Sequence, residues 1–125
     1  MANITAVQTI STDWAVATWS GMAQGDVGIG LWLPRYGDKT AQSYLGAGGQ
    51  FGTSSLFVEG SINSTNGTDG AWTYITDPTG ANINLSQANS GTNMEAMVEN
   101  PPWVRPRVGT GTGSLVSVVI FGIRH

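Results

Sequence analysis

The chain predicts a single-domain antiparallel β-sandwich, in the manner of a jelly roll, with little or no helix. Three observations carry that reading. Short runs rich in Val, Ile, Thr and aromatic residues recur along the chain. Clusters of Gly, Pro, Asn and Asp separate them about every 8–12 residues, the rhythm of strands joined by turns. No stretch sustains a helical apolar period. The 125 residues fit one domain, 1–125, and 40% apolar content supplies material for a core.

From the N-terminus, residues 4–12 are rich in β-branched side chains, and 1–13 read as a first strand or an ordered arm. Trp14 to Trp19 follows as a strand, with Trp14, Val16 and Thr18 on one face and Ala15, Ala17 and Trp19 on the other. Large residues on both faces suggest burial on two sides or a subunit contact on one. In Val27 to Leu33, Gly28 and Gly30 leave one face as bare backbone, so a neighbouring sheet or subunit is expected to pack closely there. Pro34 ends that strand, Arg35 to Lys39 reads as a charged turn, Thr40 to Leu45 as a short strand, and Gly46 to Gly52 as a glycine-rich loop.

Ser54 to Thr76 is the clearest hairpin: two β-rich runs flank a polar tip holding Asn66-Gly67 and Asp69-Gly70. Asp77-Pro78-Thr79-Gly80 is a turn, Ala81 to Leu85 a short strand, Ser86 to Asn93 a polar loop, and Met94 to Val98 a strand. Pro101 to Arg107 is extended, and its prolines place it at a sheet edge. After the turn Gly109 to Gly113, the run Ser114 to Ile123 is the strongest strand. Leu115, Val119, Phe121 and Ile123 face one way, and Val116, Val118 and Ile120 the other.

The chemistry of the chain is sparse. It has no cysteine, so disulfides, thiolate metal sites and a Cys nucleophile are excluded. A net charge of −3 argues against nucleic acid and anionic membranes as partners. No signal peptide and no membrane-spanning run are apparent, and the sequons at Asn3, Asn63, Asn66 and Asn84 read as turn and strand chemistry. His125 is the only histidine and stands at the end of the chain, a poor place for a catalytic base. The glycine-rich segment lacks the Gly-Lys-Ser/Thr ending of a phosphate loop. Most carboxylates sit among turn residues, where they cap backbone N–H groups; Asp69 and Asp77 could hold calcium, but turn capping is the plainer use. No enzyme activity, cofactor or metal is expected.

Binding is the better expectation. Five tryptophans, Trp14, Trp19, Trp32, Trp72 and Trp103, divide among core filling, subunit contact and sugar stacking. Arg105 and Arg107 flank Pro106 and share one face, where they could pair with carboxylates of a neighbouring chain or stay solvated at an edge. Interface residues are expected at Trp14, Trp19, Trp32, Trp103, Arg105, Arg107, Val116, Val118 and Ile120.

Several pieces together resemble the small β-sandwich decoration, or cement, proteins of tailed-bacteriophage capsids. These are Leu33-Pro34-Arg35-Tyr36-Gly37-Asp38-Lys39-Thr40, Gly49-Gln50-Phe51-Gly52, Val58-Glu59-Gly60-Ser61, Asp69-Gly70-Ala71-Trp72, Asp77-Pro78-Thr79-Gly80 and Val104-Arg105-Pro106-Arg107. Residues 62–68 lengthen a turn that is usually shorter in that group. The resemblance implies a non-enzymatic virion component on the capsid exterior, made in the host cytoplasm. It would bind the major capsid protein as a homotrimer and stabilise the shell. A carbohydrate-binding module or adhesin on a virion fibre, with a glycan as partner, is the alternative, as is a tail or head–tail structural protein.

Overall fold

The computed structural model describes residues 2–86 and 93–124. The chain forms an all-β sandwich. Its strands are β1 (Asn3–Ile4), β2 (Val7–Ile10), β3 (Trp14–Met22), β4 (Val27–Gly28), β5 (Leu31–Trp32), β6 (Tyr36–Gln50), β7 (Leu56–Ser61), β8 (Thr73–Tyr74), β9 (Met94–Ala96), β10 (Trp103–Val108) and β11 (Ser114–Arg124). The first sheet runs β1-β4-β10-β7-β8, with β5 also on β10; the second runs β2-β3-β11-β6-β9. Alternating inward residues of both sheets, including Trp19, Met22, Leu56, Val58, Val104, Val108, Val118 and Ile120, meet in one core, which Leu33 and Ile83 join from the connecting segments.

The N-terminal segment is divided between the sheets. β1 pairs in parallel with β4, and β2 pairs antiparallel with β3. The Ser54–Thr76 hairpin forms as read, with Glu59 opposite Tyr74 and Gly60 opposite Thr73. Residues 87–92 of the polar loop read at 86–93, and His125, lie outside the described residues.

The structure corrects three local readings. Residues 36–50 form one long strand, not a turn, a short strand and a loop, because β11 pairs with it from Tyr36 to Gln50. Two register shifts absorb the irregularity, and at each a non-glycine residue takes positive φ: Asp38 at 47° and Leu115 at 51°. Lys39, read as a turn residue, therefore points into the sandwich and is 2% exposed. Its ammonium donates to Tyr36 O at 2.5 Å, Asn100 Oδ1 at 2.5 Å and Pro101 O at 3.4 Å, one acceptor for each proton. Burial pulls its pKa down to about 8.

The Pro101–Arg107 segment is the second correction: β10 is a central strand, not an edge. A proline survives there because the neighbouring ladder is interrupted. Arg107 pairs with Val27 on β4 and Val104 with Leu31 on β5, and the chain between them leaves the ladder opposite Pro106. The backbone groups released there find other partners: Ile29 N donates to Ile4 O, Gly30 N to Gly67 O, and Ile29 O accepts from Trp19 Nε1. Gly28 makes the arrangement possible. A Cβ at this position would stand 2.5 Å from Pro106 Cδ and 2.8 Å from the Trp19 ring. The close packing expected against the bare glycines thus comes from within the chain.

Ala81 to Leu85, read as a strand, is the third. It makes only the isolated bridge of Asn82 with Thr76. Ile83 and Leu85 are nonetheless fully buried, and the Leu85 amide bonds Leu56 O.

Candidate functional site

The outward face of the first sheet is built around one carboxylate. Glu59 on β7 lies opposite Arg105 on β10, and alternation places Arg107 on the same side, two residues along. Arg105 Nε donates to Glu59 Oε1 at 2.8 Å and Arg107 Nε to Oε2 at 3.1 Å. Glu59 and Arg105 are under a tenth exposed at the side chain, whereas Arg107 is a third exposed. Two cations thus share one anion in the middle of this face.

Aromatic rings surround that group. Trp72 lies over the Arg105 guanidinium, 4.0 Å from ring centroid to Cζ, and Trp32 and Trp103 are cross-strand partners with centroids 5.3 Å apart. Phe57 and Tyr74 pack at 4.7 Å on the other flank. Trp32 and Tyr74 are exposed, at 54% and 42%. Beside Tyr74 a largely apolar groove of about 470 Å³ opens between Ile62, Ile75, Glu99 and Pro101.

The hairpin tip is folded down onto this face, not extended away from it. Gly30 N donates to Gly67 O at 2.9 Å, and Gly67, at φ 88°, approaches so closely that a Cβ would collide with Gly30 O. Inside the tip the Asp69 carboxylate accepts from the Thr65 hydroxyl, Thr65 N (2.7 Å), Ser64 Oγ (2.9 Å) and Asn66 N (3.2 Å). Those donors, the Thr65 hydroxyl first, hold its pKa well below the usual carboxylate range. Asn66 Oδ1 accepts from Thr68 N and Asp69 N, and Trp72 Nε1 donates to Asp69 O at 2.8 Å. Asp77 and Glu99 are occupied likewise, by Thr79 and Thr76, and both pKa values are lowered by those hydroxyls. Among the described residues no three His, Cys, Asp or Glu side chains gather as a metal site.

The outward face of the second sheet has the opposite character. Its side chains are Val7 and Thr9 on β2, Trp14, Val16 and Thr18 on β3, and Val119, Phe121 and Ile123 on β11. Thr40 and Gln42 on β6 and Met94 and Ala96 on β9 complete it. None is charged. Val7 (76%), Met94 (55%), Ile123 (44%), Trp14 (38%) and Phe121 (37%) are exposed, and the Trp14 and Phe121 rings stack with centroids 6.3 Å apart. A contiguous apolar patch of this kind is a contact surface more often than a solvated one.

The expected interface residues divide accordingly. Trp14 is on the second sheet's outward face, and Trp32, Trp103, Arg105 and Arg107 are together on that of the first. Trp19, Val116, Val118 and Ile120 are corrections. They are at most 1% exposed and fill the core, so no partner reaches them. Trp19 covers the bare backbone of Gly28, while the three β11 residues face inward and their neighbours Val119, Phe121 and Ile123 face out. Arg105 and Arg107 do share a face and do pair with a carboxylate, but it is the chain's own Glu59. Sequence reasoning missed Glu59, Phe57 and Tyr74. Period-2 alternation in Leu56–Ser61 against the Arg-Pro-Arg run could have found Glu59, had β7 and β10 been recognised as neighbours.

Comparison with protein families, with curated proteins and with solved structures returns no match.

Proposed function

We propose that this protein is a non-enzymatic virion component, a capsid decoration protein that binds the major capsid protein of a tailed bacteriophage and stabilises the shell. The apolar patch on the outward face of β2-β3-β11-β6-β9 is the observation that carries the reading. Its exposed Val7, Trp14, Phe121, Ile123 and Met94 suit a surface that is covered in use. A homotrimer presents several such faces to neighbouring capsid subunits, so that modest individual contacts add through avidity. The motif order that resembles cement proteins points the same way. So does the role of the polar groups, since Asp69, Asp77 and Glu99 are engaged in turn and loop bonds.

Co-sedimentation of the purified protein with decoration-free capsids tests this. Wild-type protein pellets with capsids, and Phe121→Asp, which places a charge in the middle of the face, stays in the supernatant while melting as the wild type does. Wild-type protein that fails to pellet, with virions lacking it equally resistant to pressure, overturns the reading. Mass measurement in solution tests the trimer.

A further inference from the structure

We propose that the free edge of β2 is a docking site for a second copy of this chain, whose own β2 adds to it antiparallel about a twofold axis at Thr9. Two bonds fix how the backbone of β2 is turned. Ser11 N donates to Trp14 O, and Arg124 N donates to Asp13 O. Along β3, Trp14, Val16 and Thr18 therefore bond toward β2, while Ala15 and Ala17 bond toward β11. The β2 partners of Val16 and Thr18 are Thr9 and Val7. Gln8 and Ile10 consequently aim their N–H and C=O groups away from β3, and β2 is the last strand of its sheet.

That edge lacks the devices that keep edge strands apart. Val7-Gln8-Thr9-Ile10 has no charge, no proline and no bulge against β3. Among the described strands of four or more residues, β2 alone has every side chain exposed. Ile10 is on the inward side, opposite Ala15, yet it is 58% exposed, so the first sheet does not cover it. The strands at the other three edges, β1, β8 and β9, have two, two and three residues, too short for a ladder of this length. Alternating donors and acceptors at ladder spacing are satisfied by another extended backbone, and β2 is its own complement. About an axis at Thr9, Gln8 of each copy pairs with Ile10 of the other, so every open donor meets an open acceptor. The two Ile10 side chains then lie diagonally across the seam on the inward side, within reach of each other. On the outward side the two apolar patches adjoin in one continuous sheet. The contact does not rest on the capsid reading, and being twofold it is distinct from the threefold contact of that trimer.

Sedimentation equilibrium across a concentration series tests the contact. Wild-type protein reaches the mass of two chains or an even multiple of it. Gln8→Pro removes an outward N–H and leaves the β2–β3 ladder intact, so it halves the mass with the far-UV circular dichroism unchanged. Should that variant not fold, Ile10→Lys, at an exposed position, halves the mass by placing charge at the seam. The chain has no cysteine, so Thr9→Cys reads the register directly. The Cα atoms of such a pair stand about 4.5 Å apart, and mild oxidation links two chains by a disulfide, whereas Val7→Cys gives none. A wild type of one or three chains at every concentration overturns the proposal. So does a wild-type mass retained by the folded Gln8→Pro or Ile10→Lys variant, or a Thr9→Cys variant that does not crosslink. If the wild type is a single chain and Gln8→Pro abolishes capsid co-sedimentation, the edge belongs to the capsid protein and the proposal falls.

Discussion

Glu59 stands opposite Arg105 in the β7–β10 ladder and closes on its Nε at 2.8 Å, while its second oxygen holds Arg107 at 3.1 Å. The carboxylate is what allows Arg105 to be buried in the middle of a sheet face. Replacing Glu59 by Gln keeps the volume but strands the Arg105 charge, a loss of roughly 3 kcal/mol in urea unfolding. Arg107→Gln, at the exposed end, costs about 1 kcal/mol or less. Equal losses for the two variants contradict this division.

Gly28 and Pro106 give a steric prediction. A methyl group at Gly28 would collide with the Pro106 ring and the Trp19 indole, at 2.5 and 2.8 Å, and both neighbours are packed from behind. Gly28→Ala therefore destabilises by about 2 kcal/mol, the scale of an overpacked core. A melting temperature unchanged from wild type refutes it.

Lys39 sets a pH dependence. Its pKa falls from 10.5 to about 8 on folding, so between these values the unfolded chain binds more protons than the folded one. Its contribution is fully present above 10.5 and is lost as pH falls through about 8. Urea unfolding of wild type against Lys39→Met across pH 7–11 reads this: relative to the variant, wild type gains stability as pH rises through the window. A flat or falling difference rules it out.

Asp69 behaves as a carboxylate whose charged form is stabilised by folding. Its contribution is complete above the ordinary carboxylate pKa near 4 and is lost as pH drops toward the lowered folded value. Asp69→Asn exchanges an acceptor-only group for one that must donate, and at pH 7 it releases the tip while the sandwich stays folded. Hydrogen exchange at the Thr65 and Asn66 amides is the measurement; amides as protected in the variant as in the wild type count against it.

Much of this fold is legible in the sequence, because turn chemistry and alternation are local. The Ser54–Thr76 hairpin, the Asp77–Gly80 turn and the split of Ser114–Ile123 into two faces are all as the residues read. What alternation cannot tell is which face is inward when both are apolar. Val116, Val118 and Ile120 therefore read as partner contacts, although the core takes them. The central place of β10 is hidden because prolines normally mark an edge, and the break between β4 and β5 that accommodates Pro106 is visible only in three dimensions. Lys39 misleads for the same reason: its three acceptors, from Tyr36, Asn100 and Pro101, come from two distant regions of the chain. The outward faces are the least legible feature, since Trp32 and Trp103 meet through pairing between distant segments and Trp72 reaches Arg105 from the hairpin tip.

β2 and β11 both run antiparallel to β3 and lie on its two sides, so they point the same way. Tension between the N-terminal end of β2 and the C-terminal end of β11 therefore draws the strands lengthwise past β3. The hydrogen bonds of both ladders are loaded together in shear, instead of opening singly as in a zipper. A fold strung in this direction resists stretching along its strands far better than peeling at its edges.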